Sequence, residues 1–335
     1  MLSLWDTTGR EVVRKLAAER RSAGGVASGL ALTLVVVTDE PRVREVEDAT
    51  TVAAAEHPCR LLIVVRDGHL GPDAASRLDA EVVVGGRLGP CEAVVLRMRG
   101  RLALHAESVV VPLLAPDVPV VTWWHGPPPA RIAYDPLGVV AERRITDTAQ
   151  CPEPVAALHQ RAEDYAPGDT DLAWTRLTPW RTLVAGAFDT TPALVTGVTV
   201  EATQTDPSGA LLGGWLHARL GVRPALRATA MPATDGLRAV ELQLDDGTQM
   251  GLVRHDGTAV LRHTGQADRV LPLVRRRLGE ELAEELRRLD ADQPYAAALG
   301  AATGRSGLDE RPRNRVHIWQ DPALAERPDT GCVPR

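Results

Sequence analysis

Apolar residues in the first 125 positions fall into short continuous runs that are separated by amphipathic stretches. The runs LALTLVVVT at 30–38, CRLLIVVR at 59–66 and VPVVTWW at 118–124 are rich in valine and leucine. Runs of this length predict strands that are buried on both faces, as in a parallel sheet. The stretch at 41–56 between two of them carries apolar residues at helical spacing. The alternation predicts an α/β fold, with a mainly parallel sheet and helices on both faces.

Residues that favour helix starts mark several of the predicted helices. Thr8 is followed three positions later by Glu11, which is the spacing of a capping box. Thr178-Pro179 and Asp206-Pro207 each place a capping side chain before a proline that fits the first helical position. Further helices are predicted at 101–115, 151–166 and 171–177, and further strands at 81–86, 91–100 and 195–203.

After Gly221 the pattern changes to short segments in which apolar and polar residues alternate. Such segments predict strands with one solvated face, and Asp246-Gly247 and Asp256-Gly257 predict tight turns between them. Residues 271–290 follow as a charged amphipathic helix. We therefore expect a smaller α+β domain that contains an antiparallel meander and a long C-terminal helix.

These patterns predict three parts of the chain. Residues 1–222 form the α/β domain, and residues 223–299 form the α+β domain. Residues 300–335 are rich in Arg, Asp, Gly and Pro, which predicts a disordered tail.

Composition narrows the possible functions. The chain has 335 residues, enough for two domains, and its formal net charge of −6 argues against binding to nucleic acid or to an anionic membrane. Lys15 is the single lysine, which disfavours a phosphate-binding P-loop and a Schiff-base site. No signal peptide precedes the first apolar run, and that run is too short to span a bilayer. We expect a cytoplasmic protein.

The cysteines and the missing motifs argue against a metal centre and against catalysis. Cys59, Cys91, Cys151 and Cys332 form no CxxC pair, which predicts ordinary thiols rather than a zinc site or a disulfide scaffold. The sequence contains no GxGxxG, GxSxG or HExxH motif, and GGVASG at 24–29 precedes a strand instead of following one. We therefore expect no catalytic residues, no metal and no cofactor.

Two clusters of aromatic and charged residues are candidates for binding. The first contains Trp123, Trp124 and His125 at the carboxyl end of a predicted central strand, where open parallel sheets bind ligands. The indoles could bind a ring or a partner protein, or one of them could fill the core. His125 could serve as a base or be an ordinary loop residue.

The second cluster follows the predicted helix at 151–166. It contains Asp169, Asp171, Trp174, Arg176, Trp180 and Arg181. The two aspartates precede a short predicted helix, whose dipole stabilises carboxylates at that position. Arg143 and Arg144 could pair with these carboxylates, bind an anionic group or form ordinary ion pairs.

The same clusters resemble a known family. Six blocks occur in order between Asp6 and Leu299: HPCRLLIVV, VPLLAPDVPVVTWW, DPLGVVAERRITD, YAPGDTDLAWTRLTPWR, LLGGWLHARLG and LAEELRRLDADQPYAAAL. They are similar to the OpcA family, the bacterial glucose-6-phosphate dehydrogenase assembly proteins. The chain departs from the family pattern at His125-Gly126, in place of a proline-led turn, and at 29–31, which lack a basic residue.

The resemblance implies a non-catalytic subunit that docks on glucose-6-phosphate dehydrogenase and favours its active oligomer, as an allosteric activator in the oxidative pentose phosphate pathway. We expect the docking surface to be an exposed patch around Trp123, Trp124, Trp174 and Trp180.

The alternative is an α/β enzyme or sensor that binds a small phosphate compound at the edge of the sheet. A sugar phosphate or NADP(H) is then the candidate ligand, or an effector of the activator. Its phosphate would be held by Arg143, Arg144, Arg176 and Arg181.

Overall fold

The computed structural model describes residues 2–22, 29–66, 74–85, 91–188, 193–229 and 236–312. The chain divides into two compact units, residues 1–144 and 145–313. The glycine-rich stretch predicted as a linker at 24–29 lies outside the described residues except for Gly29.

The first unit is built on a mainly parallel sheet with short and long helices. Its strands are β1 (Leu2–Leu4), β2 (Leu32–Thr38), β3 (Cys59–Arg66), β4 (Arg77–Val84), β5 (Glu92–Arg99), β6 (Val120–Trp124) and β7 (Arg143–Thr146). Its helices are α1 (Gly9–Ser22), α2 (Val43–Glu56), α3 (Arg101–Leu104), α4 (Glu107–Val110) and α5 (Pro136–Val139). The strand order is β1-β4-β5-β3-β2-β6-β7, and β7 continues across the boundary into the second unit.

Strand β2 is central in this sheet and explains the apolar runs of the sequence. It pairs in parallel with β3, where Val35 lies beside Leu62, and with β6, where Val35 lies beside Thr122. All of its residues are buried, so neither face tolerates the polar residues of an exposed strand. Strand β4 pairs antiparallel with β5, and β1 antiparallel with β4. The predicted α/β fold with a mainly parallel sheet is confirmed.

Helix boundaries in the first unit follow the local signals in part. The Glu11 backbone N–H donates to Thr8 Oγ1 at 3.3 Å, so Thr8 caps α1 as predicted. The single helix predicted at 101–115 is instead divided into α3, α4 and a 3₁₀ turn, Val111–Leu113. Pro112 explains the change at the end, because proline cannot donate the hydrogen bond of a continuing α-helix.

The second unit combines a mixed sheet with helices that cover its core. Its strands are β8 (Asp169–Asp171), β9 (Val195–Ala202), β10 (Ala225–Ala228), β11 (Leu237–Leu244), β12 (Gln249–His255), β13 (Thr258–His263) and β14 (Arg269–Pro272). Its helices are α6 (Pro154–Asp164), α7 (Leu172–Thr175), α8 (Thr178–Phe188), α9 (Pro207–Leu220), α10 (Leu278–Leu286) and α11 (Gln293–Thr303). The sheet order is β10-β9-β11-β12-β13-β14.

This sheet places the division of the chain near residue 144 instead of the predicted 222. Strand β9 pairs antiparallel with β11, where Val200 lies beside Val240, and β10 pairs in parallel with β9. A boundary at 222 would separate β9 from its hydrogen-bonded neighbours. Strands β11 to β14 form the predicted antiparallel meander, with Asp256 and Gly257 at positive φ in one of its turns.

The C-terminal region is more ordered than predicted. Helix α10 begins at Leu278, later than expected, because Leu271 precedes a proline and belongs to β14. Helix α11 continues through Thr303, and Leu308 is 1% exposed within the core of the second unit. The predicted disordered tail is therefore wrong for residues 300–308, whose apolar side chains have a core to join. Residues 313–335 lie outside the described residues.

Among the helices of the described residues, none is both long enough and apolar enough to cross a bilayer.

Candidate functional site

The tryptophans of β6 are core residues. Trp123 and Trp124 are 0% and 2% exposed, because β6 lies beside β2 and pairs them with Val36 and Val37. Trp124 packs in the apolar core of the first unit. Gly138 lies against this ring, since a Cβ there would be 3.3 Å from the indole and 1.8 Å from the Ile132 carbonyl oxygen. The predicted exposed indole surface is therefore wrong for this pair.

The polar atoms of the two indoles are unusual for buried groups. Among the described residues, neither Trp123 Nε1 nor Trp124 Nε1 has a hydrogen-bond partner. A buried donor without a partner costs about 1–3 kcal/mol. The packing of the rings must outweigh this cost, which identifies both residues as bulky packing groups in the isolated chain.

His125 is buried and held from two directions. Its backbone N–H donates to the Val37 carbonyl at 2.9 Å, and its Nε2 lies 2.9 Å from Glu45 Oε2 of α2. The ring centroids of His125 and Trp123 are 4.9 Å apart. The imidazole is 1% exposed, so it is a positioned core group rather than a loop residue open to a substrate.

Arg143 and Arg144 are buried in β7, at 3% and 6% exposure. The Arg144 guanidinium donates to the Ala141 carbonyl at 2.8 Å. Burial on a strand makes both arginines structural members of the first unit. It also limits their use as a grip for a dissolved phosphate compound.

Two buried cysteines that are distant in sequence lie together in the first unit. Cys59 begins β3, Cys91 directly precedes β5, and the Cys59 backbone N–H donates to Cys91 Sγ at 3.4 Å. The hydrogen bond from Cys59 lowers the pKa of Cys91 to about 7. Both thiols are free and 1% exposed. Cys332 lies outside the described residues.

In the second unit, Asp171 organises the start of the second cluster. It is fully buried and caps α7, because the Ala173 backbone N–H donates to its carboxylate at 2.9 Å. The Thr146 hydroxyl donates to it at 2.7 Å, and the backbone N–H and hydroxyl of Thr148 donate at 2.9 and 3.0 Å. Burial raises the pKa of Asp171, and the charge of Asp147 adds to the shift. Asp169 accepts from the Ala166 backbone N–H at 2.8 Å.

Arg176 connects two carboxylates that sequence reasoning did not single out. Its Nη1 and Nη2 donate to both oxygens of Asp147 at 2.7 and 2.6 Å, and its Nε lies 3.0 Å from Glu281. A bidentate arginine–carboxylate pair of this kind is among the strong charge-assisted contacts. Because both sides of the guanidinium are occupied, Arg176 is poorly suited to hold the phosphate of the alternative function.

Arg176, Asp147 and Glu281 form a buried group of one positive and two negative side chains, and their pKa values shift differently. Burial lowers the pKa of Arg176, but the hydrogen bonds to Asp147 and the charge of Glu281 outweigh it, so the pKa is raised overall. Burial raises the pKa of Glu281 to about 7, and Asp147 adds to the shift while Arg176 opposes it. Asp147 and Glu281 share the Arg176 cation. Glu281 has the longer contact, 3.0 Å, so it is the easier of the two carboxylates to protonate.

Trp174 joins this network through its indole nitrogen. Its Nε1 donates to Asp292 Oδ2 at 2.9 Å, and the Arg181 guanidinium carbon lies 3.6 Å from the ring centroid. Burial lowers the pKa of Arg181 to about 10. Trp174 is 1% exposed, and Trp180 is equally buried with Arg254 5.2 Å above its ring. The predicted exposed patch is wrong for these two tryptophans as well.

The second cluster is therefore a buried polar network, and sequence reasoning missed several of its members. These are Thr146, Asp147, Thr148, Thr175, Glu281, Glu285 and Asp292. The Thr175 hydroxyl, for example, donates to Glu285 at 2.6 Å. The one local signal was the acidic face of α10, which carries Glu281 and Glu285 four residues apart. Within the described ranges, no group of His, Cys, Asp and Glu residues is arranged to hold a metal ion.

Two consecutive parts of the chain match the domain models of one family, the glucose-6-phosphate dehydrogenase subunit. Residues 50–163 match its N-terminal domain, and residues 167–299 match its C-terminal domain. The chain belongs to the OpcA family. The junction between the two OpcA domains lies close to β8, which agrees better with the division of the structure than with a boundary at 222.

Individual OpcA relatives are more distant. The chain is 26% identical over 211 residues, 59% of its length, to a protein of Synechococcus elongatus whose provisional name is OxPP cycle protein OpcA. Proteins of the same provisional name from Synechocystis sp. and Nostoc punctiforme are 28% identical over 148 residues and 27% over 184 residues, or 42% and 51% of this chain. The matches cover 47%, 31% and 40% of these relatives, so the chain spans less than half of each.

Proposed function

We propose that this protein is a non-catalytic subunit that docks on glucose-6-phosphate dehydrogenase and favours its active oligomer. The observation that carries the proposal is the match of residues 50–163 and 167–299 to the two domains of a glucose-6-phosphate dehydrogenase subunit. The provisional name of the relatives, which refers to the oxidative pentose phosphate cycle, supports the same role.

The site geometry supports binding over catalysis. The polar side chains of the second cluster satisfy one another: Asp171 has four donors around it, and Arg176 is held by Asp147 and Glu281. A buried network of this kind makes the surrounding fold rigid, and it presents no reactive group to a substrate. A rigid subunit acts by binding the active state of its partner better than the inactive one. A tenfold preference shifts that equilibrium by about 1.4 kcal/mol.

Docking through an exposed aromatic side chain is better placed at Trp5 than at the four buried tryptophans. Trp5 is 67% exposed and directly follows β1, the edge strand beside β4. Exposed tryptophans are frequent anchors in protein interfaces. A direct role of the buried candidates in partner binding stays a prediction.

We extend the proposed docking surface around Trp5 to a cleft whose lining includes Asp6, the next residue in the chain. It has a volume of about 630 Å³ and a mostly apolar wall. Its lining includes Asp6, Arg10, Val13, Leu78, Leu102 and Pro112. Val111, which adjoins it in sequence, is 46% exposed. An apolar cleft near an exposed indole suits a protein partner, and the family description, a glucose-6-phosphate dehydrogenase subunit, supports the dehydrogenase as that partner.

The test combines the purified protein with the glucose-6-phosphate dehydrogenase of the same organism. NADP reduction, oligomer size and thermal stability of the dehydrogenase are measured with increasing amounts of the protein. We expect a higher rate or a larger active oligomer at saturation. No change in any of the three measurements would overturn the proposed function.

Variants then locate the docking surface. Trp5→Ala should raise the concentration needed for half-maximal activation at least tenfold, with the melting temperature of the protein unchanged. Leu194→Ala is the matched control, because Leu194 is 71% exposed in the second unit. Equal potency of Trp5→Ala and the wild type would move the docking surface elsewhere without affecting the activator role.

A further inference from the structure

One edge of the sheet in the second unit is open to solvent. Strand β10 stands at the end of the strand order, and among the described residues it pairs with β9 alone. All of its residues are exposed, and Leu226 is 61% exposed. An edge strand presents a row of backbone N–H and C=O groups with which a further strand can pair. This edge is therefore a place where a segment of another protein can be added to the sheet.

One hydrogen bond shows which backbone groups of β10 point outward. The Thr229 N–H donates to the Ala202 carbonyl of β9 at 3.0 Å, so the chain faces inward at this position. Backbone groups of successive residues point to opposite sides of a strand. The N–H and C=O groups of Leu226 and Ala228 therefore point to the open side, where an added strand would bond to them.

The region around this edge is basic although the protein is acidic. Residues 207–229 contain three arginines and one histidine but no aspartate or glutamate, in a chain whose formal net charge is −6. Arg219 and His217 lie in the last turn of α9, where a cation opposes the helix dipole. Arg223 and Arg227 lie beyond the helix, so the dipole does not explain them.

Arg223 and Arg227 are both exposed, and neither forms an ion pair within the part of the chain that the structure describes. Glu201 of β9 lies beside Arg227 in the register of the two strands, and it offsets part of that charge. Arg223 has no acidic neighbour of this kind in the register. The two side chains can therefore bind carboxylates that another molecule supplies.

A cleft next to β10 offers room for a side chain. It has a volume of about 260 Å³, and its lining includes Gly213, His217, Arg223, Leu226 and Ala301. A Cβ at Gly213 would be 3.2 Å from Leu226 Cδ2, so a larger residue there would crowd the wall of the cleft. His217 Nδ1 is buried and has no hydrogen-bond partner among the described residues. The cleft thus combines an apolar wall with two groups that can bind a carboxylate.

The charge of this edge determines which kind of strand can pair with it. A second copy of this chain that paired through β10 would bring its own Arg223 and Arg227 to the same edge. Like charges on neighbouring strands destabilise a sheet, so the arginines oppose this pairing. A strand that carries carboxylates would be attracted instead.

We propose that the β10 edge binds an extended acidic segment of glucose-6-phosphate dehydrogenase. The segment pairs with the outer backbone groups of Leu226 and Ala228, and its carboxylates contact Arg223 and Arg227. This inference rests on the proposed function, from which it takes the partner, and it adds a contact surface in the domain formed by residues 167–299.

Hydrogen exchange followed by mass spectrometry tests the added strand directly. The full-length protein is compared with and without the glucose-6-phosphate dehydrogenase of the same organism. We expect slower exchange in peptides that cover residues 222–229 and unchanged exchange at β14, the opposite edge of the sheet. Unchanged exchange at 222–229 in a complex that does form would overturn this proposal and leave the activator function standing. Absence of any complex would overturn both.

Variants then test the role of charge. Arg223→Gln combined with Arg227→Gln should raise the concentration needed for half-maximal activation about tenfold and should make activation less sensitive to sodium chloride. Both residues are exposed, so the melting temperature should not change.

Arg269→Gln is the matched control, because Arg269 is an exposed arginine of β14 and forms no ion pair within the described ranges. It should activate as the wild type does. If the double variant is as potent as Arg269→Gln, with the same response to salt, the acidic segment is not bound at β10.

Discussion

The two units bury their tryptophans in different surroundings. In the first unit, Trp123 and Trp124 lie on a central strand, and their indole nitrogens have no hydrogen-bond partner among the described residues. In the second, Trp174 donates to Asp292 and lies beneath Arg181. Trp123 and Trp124 therefore contribute through packing, whereas Trp174 contributes through packing and a hydrogen bond.

The surrounding residues of the two units are more alike. The core of the first unit is mostly valine, leucine and alanine, and the second unit has an apolar core too. Both units also contain buried charges: Arg60 pairs with Glu92 in the first, and Arg176 pairs with Asp147 and Glu281 in the second. Apolar packing tolerates small changes of shape, whereas a buried charge whose partner is removed does not. We therefore expect substitutions within these ion pairs to cost more stability than conservative substitutions in either apolar core.

The largest effect should come from removing the shared cation. Arg176→Met should lower the free energy of unfolding by about 3–5 kcal/mol at pH 7, because Asp147 and Glu281 remain buried without it. Urea unfolding followed by far-UV circular dichroism measures the change. Arg262→Met is the control, since Arg262 and Asp268 form an exposed pair and should contribute less than about 0.5 kcal/mol. Equal losses in the two variants would break the contrast between buried and exposed charges.

The next effect is a pH dependence centred on Glu281. Burial raises the pKa of Glu281 to about 7 in the folded state, from an ordinary value of 4.5. The folded protein then holds this proton more tightly than the unfolded chain, so the stabilisation is complete below pH 4.5 and is lost as the pH rises through 7. Relative to Glu281→Gln, the wild type should lose about 2 kcal/mol between pH 5 and 8. A constant difference between the two proteins across this range would refute the assignment.

A smaller effect compares the two kinds of buried tryptophan directly. Trp174→Phe should cost about 1–2 kcal/mol more than Trp124→Phe, because Asp292 loses a donor whereas the Trp124 N–H has no partner among the described residues. Circular dichroism during urea unfolding avoids the loss of indole fluorescence in both variants. If the two variants lose equal free energy of unfolding, the hydrogen bond from Trp174 to Asp292 adds no stability and the proposed difference between the units is wrong.

The smallest effect concerns helix caps. Thr8 is exposed and accepts one long hydrogen bond from the Glu11 backbone N–H, so Thr8→Ala should cost about 0.5–1 kcal/mol. Thr8→Ser keeps the hydroxyl and should restore most of the stability. Asp171, by comparison, is fully buried and serves as cap and network centre together. A loss above about 2 kcal/mol in Thr8→Ala would mean that this cap also has a wider role.

Much of the fold could be predicted from local patterns. The apolar runs at β2 and β3 and the capping residues Thr8 and Asp206 report on their immediate neighbours in the chain, and the structure confirms them. Domain limits were less predictable, because they depend on which strands pair. Strand β9 joins β11, and no local pattern near residue 222 encodes that pairing.

The candidate site was predictable in its position but not in its nature. The aromatic and charged blocks at 122–125 and 169–181 do lie in organised parts of the two units. Their exposure was wrongly predicted, because burial depends on strands and helices supplied from elsewhere. Trp174 and Asp292, for example, are 118 positions apart in sequence.

The sequence by itself determined the fold class, many of the helices and strands of both units and the family. Those features rest on the spacing of apolar residues and on residue blocks, both of which are properties of short segments. Only the tertiary structure decided that the four tryptophans are buried and that Arg176 is shared by two carboxylates. These facts depend on strand register and on contacts between distant segments, which exist only once the chain has folded.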